Sequence, residues 1–559
     1  MLAAMPSAPA SRPSGSEPPD FGPGDRCPGA LRLHMADDGA LARIRLPGGL
    51  LSSRQAADLA DIAEELGDGN LDLTSRGNVQ LRGLAADCGP ELADRLRAAA
   101  LLPSDTHERV RNVVASPLSG LDGHGYADTA AWARALDRAL CANPDAAALS
   151  GRFLFALDDG RGDVAALDAD VTIVAAPGGA AELRTGAGGP RLAVSAADAP
   201  RAAVAAAAAF LQAAATTPGR TWRVRDLLTG PPPGTPPPPA GTTGSGTGPG
   251  TGSGSGTGSG TGTGTGSGSG TDALPLGPAL LLAHLDRAGI ASAPAPRSGA
   301  AADGEGPAAA AGGRSEDGAT DAGNPPAAAG GANRAGPGDR EGRTGDGAGA
   351  SRSAAPVPGL VTGPDGRCAP VVAAPLGRVT AAAWRLLAEL AGREGTAELR
   401  VTPWRGVVVP GLPADSGPAA LRRLRDAGFV TDPGSPWYGV GACTGLPGCA
   451  KSLADVRADA ARSVVGALPV VRPETAAGRL PVYWSGCERR CGRPAGARVD
   501  VVAVAPGTGD GAVPGYRVTV RGTEPETYRA PAAPGPVPAP HQTAAAPAAA
   551  RGTTSARAQ

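Results

Sequence analysis

The sequence predicts an α+β chain built by internal duplication of one strand–helix–strand–turn–strand unit. Three observations carry that reading. The segments "LDLTSRGNVQLRGL" (Leu71–Leu84) and "LRVTPWRGVVVPGL" (Leu399–Leu412) have equal length and share a Thr, an Arg-Gly pair and a closing Gly-Leu. A helical apolar pattern precedes each of them. Between the copies runs a Gly/Thr/Ser repeat, Gly241–Gly270, that has no apolar surface to bury.

The elements follow in order. "LARIRLP" (Leu41–Pro47) alternates apolar and basic residues, as a half-buried strand does. Ser52 and Ser53 are placed to cap a helix whose apolar positions are Ala56, Leu59, Ala60, Ile62, Ala63 and Leu66, with Gly67 as its stop. Leu71–Leu84 then reads as strand, turn, strand. In the second copy Thr380 caps "AAAWRLLAELAG", which Gly392 should end, and Leu399–Leu412 repeats the hairpin. "LPLGPALLLAHLDRAGI" (Leu274–Ile290) reads as a short helical piece that should pack on the first half. Residues 1–28, most of 230–356 and 530–559 are too rich in Gly, Pro, Ser and Ala to build a core and are expected to be disordered.

Composition sets bounds. The chain has 559 residues, enough for several domains, and 85 glycines and 57 prolines, consistent with long disordered stretches. Net charge is −1, so no global field draws nucleic acid or a membrane surface. Of the 52 Lys and Arg residues only Lys451 is lysine, so a cationic site here is almost always arginine. The N-terminus has neither a basic start nor a sustained apolar run, and the Ala202–Ala215 run is too weakly apolar to span a bilayer. A cytoplasmic, non-membrane, monomeric protein is expected, in which close cysteine pairs favour metal or catalytic roles over disulfides.

Four of the eight cysteines form two such pairs. Five residues separate Cys443 from Cys449, and three separate Cys487 from Cys491. Four thiolates from two loops suit an iron–sulfur cluster or tetrahedral zinc; an accidental set is the third reading. Zinc pairs favour gaps of two to four, which the five-residue gap exceeds. Gly441, Gly445, Gly448, Gly486 and Gly492 would let backbone N–H groups approach cluster sulfides. Cys27, Cys88, Cys141 and Cys368 read as isolated small thiols.

The C-x5-C…C-x3-C pattern resembles the signature of the nitrite and sulfite reductase superfamily. "LDLTSRGNVQLRGL", "RNVVASPLSG" (Arg111–Gly120) and "GRFLFALDDGRGDV" (Gly151–Val164) are similar to segments of that family in the same order. The resemblance implies two pseudo-symmetric ferredoxin-like halves at 29–108 and 357–428. It also implies α/β domains at 109–229 and 429–529, the latter holding a [4Fe-4S] cluster on Cys443, Cys449, Cys487 and Cys491. Sirohaem members carry a K-x-K anion cage where this chain has Arg152 and Leu154. "TSRGNVQLRGL", "ALDDGRGDV", "TPWRGVVVPG" and "CTGLPGCAKS" are most similar to the precorrin-3B synthase branch.

That branch implies O2-dependent hydroxylation of the tetrapyrrole precorrin-3A, with lactone formation, in aerobic cobalamin biosynthesis. The alternative is a sirohaem-dependent nitrite or sulfite reductase. A polycarboxylate substrate suits forked arginines. The implied binding residues are Arg76, Arg82, Arg111, Arg152 and Arg405, with Gln80 and Asn112 as neutral partners; solvated strand ends are the plain alternative. The branch also implies a mononuclear non-haem iron, but His34, His107, His124, His284 and His541 offer no convincing pair, and His284-x-Asp286 lies on a helical piece between linkers. No Gly-rich dinucleotide motif follows a predicted strand, so electrons should come from a separate NAD(P)H-linked donor protein.

Overall fold

The computed structural model describes residues 28–217, 219–229, 276–295, 355–466, 474–475, 478–494, 496–505 and 515–521. The Gly/Thr/Ser repeat, the tail beyond residue 530, Cys27 and His541 lie outside them.

Each half of the duplication is an antiparallel sheet backed by helices. In the first, the strands His34–Ala36, Gly39–Ile44, Val79–Leu84 and Asn70–Leu73 lie side by side. In the second, Gly359–Thr362, Arg367–Ala373, Gly406–Val408 and Glu398–Val401 take the same order. Each sheet is completed by a strand from the other half. Arg378–Thr380 joins the first sheet beside Asn70–Leu73, and Leu50–Ser52 joins the second beside Glu398–Val401. The exchanged strands run directly into the two long helices. Ser53–Leu66 starts with a complete capping box between Ser52 and Gln55, and Ala381–Arg393 starts on the Thr380 hydroxyl.

Those two helices pack against each other at the centre of a shared core. Trp384 is fully buried there and its indole N–H donates to Ala56 O at 2.9 Å. Its truncation to alanine would cost about 3–5 kcal/mol. The second helix does not stop at Gly392. It runs to Arg393, with Glu394 N–H closing on Leu390 O. Gly392 instead allows the crossing, since a Cβ there would sit 3.2 Å from Ser53 Oγ. The hairpins also correct the sequence register. Thr74 and Thr402 N–H bond Asn78 O and Gly406 O respectively, so Arg405 takes the place of Gly77, and Trp404 that of Arg76.

Each half leads into an α/β domain. In the first, Val113–Ala115, Phe155–Asp158 and Val171–Ala176 are parallel and continue as an antiparallel meander through Ala180–Thr185 and Arg191–Ser195 to Ala293–Pro294. In the second, Val440–Ala442, Val482–Ser485 and Arg498–Val504 are parallel and Gly515–Arg521 is antiparallel. The helical piece seen in the sequence is Pro278–Arg287. It packs on the Ala199–Thr216 helix of the first α/β domain, burying Leu281 and Leu285, rather than on the first sheet. No helix among the described residues is long and apolar enough to cross a membrane.

Candidate functional site

The paired cysteines lie on two loops that leave the carboxyl ends of adjacent parallel strands, the place where open α/β sheets bind ligands. Cys443 follows Ala442 directly, and its N–H donates to Trp484 O at 2.9 Å. Cys487 stands two residues past Ser485. The loops interlock: Gly486 N–H donates to the Cys443 sulfur at 3.2 Å, and Leu453 N–H donates to Gly486 O at 2.8 Å. Cys443, Cys449 and Cys487 are half-buried and Cys491 is exposed.

The thiols sense one another. Burial pushes the Cys443 thiol up, and charge on Cys491 and Cys449 pushes it further, against the Gly486 and Gly445 N–H groups. Partial burial likewise raises Cys491, opposed by Arg489 and reinforced by Cys487 and Cys449. Among the described residues no three His, Cys, Asp or Glu side chains converge as a ligand shell for one ion. A single zinc would draw its thiolates to about 2.3 Å. The glycines have a second reason to be there: a Cβ on Gly486 would lie 1.8 Å from Ser452 Oγ, and one on Gly448 would lie 2.4 Å from Asp38 Oδ2.

The arginine set separates into three places. Arg76 donates to Gly151 O at 3.3 Å and Arg152 O at 3.0 Å, and Asn112 donates to the same Gly151 O at 2.8 Å. Arg152 is exposed and its guanidinium lies 4.0 Å from the Trp222 ring centre. Gln80, half-buried, accepts from Arg43 at 3.1 Å. Arg76, Asn112 and Arg152 are therefore gathered at one junction, between the first half and the first α/β domain.

Three of the expected substrate ligands are spent inside the protein. Arg111 is buried and forks onto Asp137 at 2.6 and 2.8 Å; it lines a cavity of about 340 Å³ with Arg45, Arg134 and Glu398, away from the cysteines. Asn112 is fully buried, bonded to Asn78, Arg109 and Gly151. Arg82 is 4% exposed, forks onto Asp38 and donates to Gly448 O at 2.7 Å. Buried charges are paired, and these partners lie too far along the chain for the sequence to show them. Arg405 reaches the cysteine loops: Nη2 donates to Gly492 O at 2.8 Å and the guanidinium lies 5.5 Å from the Tyr483 ring centre. Leu154 points into an apolar cluster with Val114, Ala156, Val164 and Ala169.

Tyr483 is the residue that sequence reasoning missed. Its hydroxyl donates to Cys491 O at 2.6 Å, and burial pushes its pKa up to about 12, against the nearby Arg405. The signal was its place in a fully buried strand, four residues before Cys487. His107 is bonded within Ser104, Thr106 and Asn143, and His284 meets Gln212.

The fold is that of nitrite and sulfite reductases, with two ferredoxin-like halves. The family model for the Nitrite/Sulfite reductase ferredoxin-like half domain matches twice, at residues 34–99 and 362–427. Among curated relatives, a Ferredoxin--nitrite reductase of Synechococcus elongatus is 37% identical over 127 residues, 22% of this chain and 25% of the relative. A Precorrin-3B synthase of Sinorhizobium sp is 31% identical over 150 residues, 27% of this chain and 32% of the relative. The chain thus covers about a quarter to a third of these relatives' lengths. The NirA protein of Mycobacterium tuberculosis shares the fold at a TM-score of 0.57 and 18% identity, over 86% of this chain and 74% of that one.

Proposed function

We propose that this chain is an iron–sulfur oxidoreductase that hydroxylates a precorrin-type tetrapyrrole with O2, as a precorrin-3B synthase. The observation that carries the reading is at Arg152 and Leu154. Where an inorganic-anion cage would hold two cations, Leu154 is buried in an apolar cluster and Arg152 is stacked on Trp222. One exposed guanidinium on an aromatic face suits the carboxylate rim of a large macrocycle better than sulfite or nitrite. The alignment to a Precorrin-3B synthase, 150 residues long, supports the same reading.

Cys443, Cys449, Cys487 and Cys491 would hold a [4Fe-4S] cluster, which supplies electrons one at a time when bound. Arg152, held through its backbone by Arg76, would orient a substrate carboxylate. Hydroxylation places one atom of O2 on a meso carbon and releases the other as water. It consumes two electrons from a separate donor and two protons; a ring acetate then adds its carboxyl oxygen to the neighbouring ring carbon while its proton passes to the inserted oxygen, so the lactone closes with no further oxidant.

The second reading, a sirohaem-dependent nitrite or sulfite reductase, is favoured by the 37% identity to a ferredoxin-dependent nitrite reductase. Anaerobically purified protein decides between them. The first reading expects cluster absorption without sirohaem bands, and precorrin-3A-dependent O2 uptake with a hydroxylated lactone as product. Sirohaem bands and reduction of nitrite or sulfite, with no precorrin-dependent O2 uptake, would falsify it.

A further inference from the structure

Each ferredoxin-like half sends one arginine to a carbonyl beside one of the paired cysteines. Arg82 meets Gly448 O, next to Cys449, and Arg405 meets Gly492 O, next to Cys491. The two arginines are not equivalent in the duplication, since Arg405 stands where the first hairpin has Gly77. The Arg405 contact is built at a cost. Arg405 has φ +58°, the left-handed region that a side chain enters only when its surroundings hold it there. Its guanidinium sits over Tyr483, whose hydroxyl bonds Cys491 O, so two donors hold two consecutive carbonyls. The approach is close: a Cβ on Gly492 would lie 3.0 Å from both Arg405 Nη2 and the Tyr483 hydroxyl.

We propose that Arg405 and Tyr483 are positioning residues that fix the Cys491 end of its loop, and that the Arg405 cation stabilises the reduced state of the group those cysteines hold. The proposal rests on the cluster reading above. Cys491 is the exposed thiol of the four. A group held there would gain negative charge on reduction, and removing a guanidinium fixed on the Cys491 loop would make that reduction harder.

Arg405→Gly suits the left-handed backbone, so it removes the donor without adding strain, and Tyr483→Phe removes the other donor alone. In metal-free protein, iodoacetamide labelling of Cys491, read by peptide mass spectrometry with Cys88 as internal reference, is expected to rise about fivefold in either variant. That corresponds to one ordinary hydrogen bond. In reconstituted protein, the cluster's midpoint potential, from an EPR-monitored dithionite titration, is expected to fall in Arg405→Gly and return toward wild type in Arg405→Lys. Unchanged Cys491 labelling in both variants overturns the positioning role. A potential that does not move in Arg405→Gly, or that Arg405→Lys does not restore, overturns the electrostatic one. Wild-type protein that binds no iron or sulfide would sink the cluster reading instead, while the labelling still decides the clamp.

Discussion

The loops of the two α/β domains are built on one plan and neutralised in opposite ways. Ser116 N–H donates to Leu157 O as Cys443 N–H does to Trp484 O, and Tyr126 N–H donates to Asp159 O as Leu453 N–H does to Gly486 O. Asp159 N–H donates to Ser116 Oγ at 3.2 Å where Gly486 N–H meets Cys443 Sγ at 3.2 Å. By this register Ser116 stands for Cys443 and Asp122 for Cys449. In the first domain the loops close on themselves: Arg161 bridges Asp122 and Asp159, Ser116 Oγ donates to Asp163, and Asp158 accepts from four backbone N–H groups. In the second, the same backbone carries cysteines, with Cys443 Sγ accepting from Gly486 N–H. The first loop pair balances its carboxylates with Arg161, whereas the second sets cysteines beside Arg489 and Arg405.

The comparison can be broken most severely at the cysteines. Cys443→Ser, Cys449→Ser, Cys487→Ser and Cys491→Ser are each expected to abolish the cluster, whereas Cys88→Ser and Cys141→Ser keep it. Iron and sulfide analysis of the six variants checks this, and full iron in any of the first four refutes the ligand set. On the other side, Arg161→Ala should leave the buried Asp159 carboxylate uncompensated and cost about 3 kcal/mol, read from urea unfolding. Cluster content in that variant, measured on folded protein, should match wild type.

A third test uses pH. Burial, against the Ser116 hydrogen bond, pushes the Asp163 pKa from 3.8 up to about 6. The folded state therefore holds this proton more tightly than the unfolded chain. Its penalty is absent below about pH 4, grows as pH rises through that window and is complete above about 6. Asp163→Asn keeps the Oδ1 acceptor and loses the ionisation. It should gain on the order of 2 kcal/mol relative to wild type between pH 4 and 7. A constant difference between the two unfolding curves across that range would refute it. The smallest effect is expected from deleting Gly241–Gly270. Closure cost changes by only roughly 0.6 kcal/mol per doubling of length, so thermal unfolding and cluster content should barely move. Precipitation or iron loss would contradict that.

What the sequence made legible was whatever is encoded within a few residues. The Ser52–Gln55 cap, the Thr380 cap and the two hairpins all have their partners nearby. So does the spacing of the cysteine pairs. The fate of the arginines was not legible, because each is decided by a distant partner. Asp38 lies 44 residues from Arg82, and Asp137 lies 26 from Arg111. Gly392 misled for the same reason: its role is set by Ser53 across the helix crossing, not by the helix it lies in. The likeness of the two Arg-Gly pairs was a coincidence of letters, since hydrogen bonding aligns Arg405 with Gly77.

The exchanged strands carry a kinetic consequence. Neither sheet is complete until the other half has been made: Val379 must pair with Leu71, and Leu399 with Leu51. The Trp384–Ala56 contact at the heart of the core joins residues 328 apart. Native pairings of such long range are slow to find, because the chain must be closed before they repay anything. On a ribosome the first half would wait, with an open edge at Asn70–Leu73, for the strand that covers it. That edge is the place where a second nascent chain could pair in its stead.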